Sequence, residues 1–282
     1  MEAESILELA VKELSNVQGI AAIALGGSRA RGTAHAGSDF DLGLYYRPDA
    51  PPDLTQLREA ARRLDDESRA EAVTPLGDWG PWINGGGWLR VGGMPVDLLY
   101  RDLDQVERVI GDCRQGSIRI DYQPGHPHGF VSSIYFAEAA LCQPLWDPQG
   151  VLERLKRSVR PYPPALQRAT IGRFLWEASF ALDNGRKGIP KGDASYVAGC
   201  FFRSVSCLNQ TLFALNEAYW MNEKGAAAIA GSLPLAPADY SGRIGRLFAA
   251  LGDDADKLAQ AASRLQELIR ETEALMPANR GL

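Results

Sequence analysis

The stretch LGGSRARGTAHAGSDFDLGLYY, residues 25–46, decides the fold of this chain. It opens apolar, passes Gly26-Gly27-Ser28, and closes in Asp39-Phe40-Asp41 on a β-rich run. Side chains alternate faces along a strand, so Asp39 and Asp41 project from the same side. Two carboxylates that close repel each other and call for a cation between them. Hard oxygen ligands in this pattern suit Mg²⁺, which completes its shell with water and phosphate oxygens. Gly27-Ser28 sits where the preceding strand turns into a helix, and such a turn offers backbone N–H groups and a hydroxyl to phosphate. A phosphate cradle beside a metal site implies a nucleoside triphosphate.

The motif lies on strands that the flanking sequence predicts. Ile6, Leu7, Ala10 and Val11 recur at helical spacing within Glu4–Leu14, and Ile20–Leu25 reads as a buried strand. A short helix is expected from Arg29 to Arg31, whose two arginines either touch phosphate or solvate the helix. His35 reads as a solvated loop histidine. Further on, Leu54–Leu64 is predicted helical and Ala70–Thr74 a strand. Pro75–Trp88, with three tryptophans among turn residues, reads as a loop or irregular hairpin. Its tryptophans line a binding surface or pack, and packing is the reading adopted for at least two. Leu89–Val91 and Pro95–Tyr100 form a hairpin through Gly92-Gly93, with Asp97 on its second strand. Asp102 is the N-cap of a helix running to about Cys113.

Gly-Ser followed by Asp-x-Asp on the next strand, with Asp97 inside a later apolar strand, resembles the DNA polymerase beta-like nucleotidyltransferase superfamily. GSRARGTAHAGSDFDLGLYY is especially similar to minimal bacterial nucleotidyltransferases and to antibiotic adenylyltransferases acting on aminoglycosides or lincosamides. The resemblance covers the first hundred residues well. It implies an α/β (α+β) nucleotidyltransferase domain with a small mixed sheet, residues 1–147, followed by an all-α helical bundle domain that binds substrate, residues 148–282. The substrate cleft is expected between these halves. The implied metal ligands are Asp39, Asp41 and Asp97, holding two Mg²⁺ ions. The implied nucleotide contacts are Gly27, Ser28 and Arg31, with ATP or another NTP as substrate.

Beyond Val151 helical periodicity dominates, with helices expected at residues 151–159, 164–183, 194–217, 223–230, 243–251 and 254–275. A short helix is expected from Ser132 to Leu141. Between two long helices, Asn184–Asp193 concentrates three cations. This segment resembles the Gly-x-Ile-x-x-Lys-Asp stretch of streptomycin/spectinomycin adenylyltransferases, whose lysine contacts the triphosphate. Lys191 matches that lysine, although Gly192 intervenes before Asp193. The alternative is a solvated loop, and Asp193 caps its helix under either reading. Glu177, among Phe174, Trp176 and Phe180, is a candidate general base alongside Asp97 and Asp183, or else a helix-surface glutamate. His126 and His128 invite a zinc reading, but no third ligand lies nearby and Pro-Gly neighbours suggest an exposed turn.

Composition bounds the function. The chain has 282 residues and a formal net charge of -5, which argues against a general nucleic-acid binder. No apolar run approaches a membrane span and no signal peptide precedes the first helix. Cys113, Cys142, Cys200 and Cys207 show no metal-type spacing and read as reduced core residues of a cytoplasmic protein. The resemblance implies as partners a nucleoside triphosphate and a small hydroxylated acceptor, with antibiotic resistance one outcome. The competing readings are a protein-modifying (AMPylating) enzyme of toxin–antitoxin type and a non-catalytic nucleotide-binding protein. The sequence leaves the oligomeric state open.

Overall fold

The computed structural model describes residues 3–252 and 254–276. The last residues of the expected helical domain, 277–282, lie outside the described residues. In chain order the elements begin α1 (Ala3–Leu14), β1 (Ile20–Leu25), α2 (Gly27–Ala30), β2 (Phe40–Tyr46) and α3 (Leu54–Leu64). There follow β3 (Gly86–Val91), β4 (Met94–Asp102), α4 (Leu103–Arg114), β5 (Ile120–Asp121), β6 (Phe130–Val131), α5 (Ser133–Leu141) and β7 (Gln143–Trp146). The rest is helical: α6 (Val151–Ser158), α7 (Pro164–Arg186), a 3-10 turn (Ile189–Lys191), α8 (Ala194–Leu215), α9 (Ala226–Ser232), α10 (Tyr240–Ala249) and α11 (Ala255–Ala274). No helix among the described residues is long and apolar enough to cross a membrane.

The chain divides into two compact units. One comprises Met1–Gly111, Tyr122–Pro124 and Tyr135–Pro161; the other comprises Asp112–Asp121, Gly125–Ile134 and Tyr162–Leu282. The first is an α/β unit around a five-stranded sheet of order β3-β4-β2-β1-β7. The β2–β4 pair is parallel and the other pairs are antiparallel, so the sheet is mixed. Alternation along the strands buries Phe40, Leu42, Leu44, Val96, Leu98, Tyr100, Leu89 and Val91 in a core shared with Ile6, Ala10 and Leu14 of α1 and Leu57, Ala60 and Leu64 of α3. The intervening positions face the other side of the sheet, where the polar residues collect. Asp53 starts α3 by accepting from the N–H groups of Thr55 (2.8 Å) and Gln56 (3.1 Å). Asp102 caps α4 in the same way, through Asp104 (2.9 Å) and Gln105 (3.2 Å). Gly92 and Gly93 make the β3–β4 turn at φ 57° and 82°, the pair of positive angles that a tight hairpin requires.

The second unit is dominated by α7 and α8. Asp193 caps α8, its Oδ1 accepting from the N–H of Tyr196 at 3.1 Å. Within it Ile171, Ala214 and Leu215 are buried together, and Gln167 donates to the carbonyl of Ala214 at 2.9 Å.

Several expectations are corrected. Ala70–Thr74 is not a strand; only Val73 bridges to Gly87, because Pro75 and the turn residues after it end the extended run. The helix after β1 starts at Gly27, two residues before Arg29. Gln143–Trp146 forms a strand that the sequence hides, since Pro144 is tolerated only on an edge, where β7 lies. His128 does not sit in an exposed turn but is buried, and the His126 side chain is 12 % exposed. Cys113, Cys142 and Cys207 are buried, Cys200 is half-buried, and all four are free thiols.

Candidate metal centre

Register assembles the site. In the parallel β2–β4 pair Asp41 stands directly opposite Asp97. Asp39, two residues before Asp41 and just ahead of β2, shares their face. All three are half-buried, and one carboxylate oxygen from each lies within 4.8 Å of the others. Three like charges so close are mutually repulsive unless a cation intervenes. A set of three hard oxygen donors fits a divalent metal of the Mg²⁺ type.

The turn beside them is shaped by the same carboxylates. The N–H of Gly26 donates to the carbonyl of Asp41 at 2.8 Å. Gly27 adopts φ 60°, and a Cβ placed on it would fall 1.7 Å from Oδ2 of Asp41. Only glycine fits there, in backbone angle and in space. α2 then begins without any side-chain cap, leaving its first N–H groups to whatever lies in front of Gly27 and Ser28. An uncapped start next to a cation site suits phosphate oxygens.

The two arginines that follow differ. Arg29 is structural: its guanidinium donates to the carbonyls of Ser38 (2.6 Å) and Asp39 (3.1 Å) and lies 3.7 Å over the ring of Phe40. It therefore fixes the loop that delivers Asp39. Arg31 keeps a buried Nε without a hydrogen-bond partner among the described residues. Burial pulls its pKa below the ordinary value, while the charge of Asp41 pushes it back up. An orphaned guanidinium donor close to the triad suits an anion.

The remaining predicted residues lie in the helical unit. Glu177 is engaged by Arg203, whose Nε and Nη2 both donate to Oε1, at 2.7 and 2.5 Å. Arg203 also donates to the carbonyl of His128. Asp183 is exposed and pairs with Arg186 at 2.8 Å. Lys191 ends the 3-10 turn, exposed and without an ion pair among the described residues. His126 and His128 meet a carboxylate rather than a metal set. The N–H of His128 donates to Glu223 at 2.9 Å, and His126 lies 3.5 Å from the same carboxylate.

Against known families, residues 5–75 match the nucleotidyltransferase domain model. That segment, about a quarter of the chain, supports the DNA polymerase beta-like nucleotidyltransferase superfamily. The match takes in Gly27, Ser28, Asp39 and Asp41, while Asp97 lies beyond it and joins them through sheet register. Among solved structures, the chain is similar to a nucleotidyltransferase-like protein from Exiguobacterium sibiricum 255-15. The identity is 13 %, over 95 % of this chain and 75 % of that one, with a TM-score of 0.43. No curated protein matches the chain. The domain family and the carboxylate triad together support nucleotidyl transfer from an NTP.

Proposed function

We propose that the protein transfers a nucleoside monophosphate, AMP from ATP, to a hydroxyl of a small molecule of the aminoglycoside or lincosamide kind. The observation that carries this reading is the convergence of Asp39, Asp41 and Asp97 within 4.8 Å beside an uncapped Gly27–Ser28 turn. Asp39, Asp41 and Asp97 would hold two Mg²⁺ ions, which when bound supply Lewis-acid stabilisation of charge on the attacking and leaving oxygens. Gly27 and Ser28 orient the β and γ phosphates through backbone N–H groups and the Ser28 hydroxyl, and Arg31 adds a charged donor. The proton of the acceptor hydroxyl passes to a carboxylate, Asp97 in the triad or Glu177. Support for Lys191 as a triphosphate contact comes from its sequence context. Alanine at Lys191 is expected to weaken ATP binding and leave AMP binding unchanged; equal affinities to wild type for both would remove that role.

The test of the reaction is incubation with Mg²⁺, labelled ATP and panels of aminoglycosides, lincosamides and hydroxylated metabolites, following pyrophosphate release. Transfer to at least one of them, lost in Asp41→Ala, is expected. Labelling of a co-purified protein with none of the small molecules modified would move the assignment to the protein-modifying class.

A further inference from the structure

The line of side chains through the triad continues past Asp97. In the antiparallel β3–β4 pair Asp97 stands opposite Trp88, so one face of the sheet carries Asp41, Asp97 and Trp88 in a row. Neighbours in such a row have Cβ atoms about 5 Å apart. The residues flanking them, Leu42, Leu98 and Leu89, are buried on the opposite face. Trp88 is 60 % exposed. An indole left largely in water beside charged groups forgoes burial that a ligand would recover.

The exposed ring is held rigidly. It stacks on Trp79 with centroids 4.4 Å apart and planes 23° from parallel. Gln123 fixes Trp79 by donating to its carbonyl at 2.9 Å. Arg69 fixes the strand by donating to the carbonyl of Trp88 at 2.7 Å, and Arg69 is itself paired with the buried carboxylate of Asp65. Gly86 leaves room for the stack, since a Cβ there would lie 3.0 Å from the ring of Trp79 and 1.8 Å from the carbonyl oxygen of Leu98. An aromatic pair braced in this way is preorganised, so a ligand loses little entropy on meeting it.

Position along the row indicates which ligand. In-line displacement puts the attacking and leaving oxygens on opposite sides of phosphorus. Gly27 and Ser28 lie at the β1 end of the row, beyond Asp41, and Trp88 lies at the β3 end, beyond Asp97. We propose that Trp88, braced by Trp79, is a positioning residue for the acceptor. Its open indole face receives a hydroxylated ring bearing an ammonium group and sets that ring's hydroxyl towards Asp97. An indole face attracts cations. Arg90, two residues along β3, is turned aside to the carbonyl of Gly93 at 2.8 Å. The inference rests on the nucleotidyl-transfer reading of the same site.

Calorimetric titration of kanamycin, spectinomycin and lincomycin into the full chain, loaded with Mg²⁺ and a non-hydrolysable ATP analogue, tests it. Wild type, Trp88→Phe and Trp88→Ala are compared, with analogue affinity measured alongside. At least one ring probe should bind saturably, and Trp88→Ala should weaken it by about 5- to 30-fold, the range expected of a desolvated cation–π contact. Trp88→Phe should restore most of that affinity, with the nucleotide analogue unaffected in both variants. The proposal is overturned if no probe binds, if probe affinity ignores Trp88, or if Trp88→Ala weakens the analogue instead, which would make the indole a nucleobase platform. Absence of Mg²⁺-dependent analogue binding in wild type would remove the underlying reading. Normal analogue binding with indifferent probes removes the inference alone.

Discussion

Gly27 and Asp41 approach so closely that a methyl group on the glycine would fall 1.7 Å from the carboxylate oxygen. The phosphate turn and the metal triad are thus one object, because the carboxylate stands where any other residue would put its Cβ.

Gly27→Ala is expected to abolish nucleotide transfer while leaving the protein folded. The backbone angle of 60° costs about 1–2 kcal/mol for a residue with a side chain, a tolerable loss. The larger effect is displacement of Asp41. Thermal melts with and without Mg²⁺ and ATP check this: a small fall in Tm of the apo protein and loss of the ligand-induced rise. A full ligand-induced rise in the variant would sink the idea.

Neutralising one acid of the triad tests whether like charge is stored there. Asp39→Asn and Asp41→Asn should melt at or above wild type without metal, since each removes repulsion within 4.8 Å. Both should lose the stabilisation that Mg²⁺ gives the wild type. Destabilised apo proteins that still respond fully to Mg²⁺ would count against a shared metal site.

The buried pair between Arg101 and Glu138 is a structural counterpart. Arg101 is 3 % exposed and donates to both carboxylate oxygens of Glu138, at 2.7 and 2.8 Å. Glu138→Ala strands a buried guanidinium, so denaturant unfolding should show a loss of about 3–5 kcal/mol. A loss below about 1 kcal/mol, the level of an exposed pair, would show that Arg101 finds water or another partner.

His128 gives the helical unit a specific response to acid. Burial, reinforced by the positive charge of Arg203 and opposed by Glu223, lowers its pKa from 6.5 to about 3. Above pH 6.5 the group is neutral in both states and contributes no slope. As pH falls from 6.5 towards 3 the unfolded chain takes up a proton that the folded chain refuses, so stability falls with pH. The slope approaches ~1.4 kcal/mol per pH unit. Measured between pH 5 and 6.5, where ordinary carboxylates stay ionised, His128→Gln should flatten this dependence. Identical slopes in variant and wild type would remove His128 as the cause.

Much of the site was legible in the sequence for a simple reason. Asp39 and Asp41 sit two apart, and a period of two needs no tertiary information to place both on one face. Asp97 was harder, because its register against Asp41 is a property of two strands separated by α3 and a long loop. The family resemblance supplied that link. Trp88 reads as the end of a loop or irregular hairpin because Gly85-Gly86-Gly87 looks like a turn. The two glycines that enter β3 instead answer close approach: a Cβ on Gly86 would meet the carbonyl oxygen of Leu98, and one on Gly87 that of Ala72 at 2.4 Å. The burial of His128 is hidden in the sequence for a similar reason. Its Pro-Gly neighbours describe a turn correctly, but its burial comes from Phe174 and Trp220, far away in sequence.

The interleaving of the two units has a consequence for inheritance and engineering. The backbone passes between them five times, first between residues 111 and 112 and last between 161 and 162. A crossover after residue 111 would deprive the sheet of β7 and α6; one after residue 161 would separate the β5–β6 ribbon and His128 from Glu223. No single breakpoint yields two intact modules. During synthesis, too, β7 emerges after that ribbon, so the sheet is completed only once part of the helical unit has left the ribosome. Recombination or split-reporter schemes that treat the chain as two interchangeable cassettes should yield insoluble halves, whereas transfer of the whole chain preserves both.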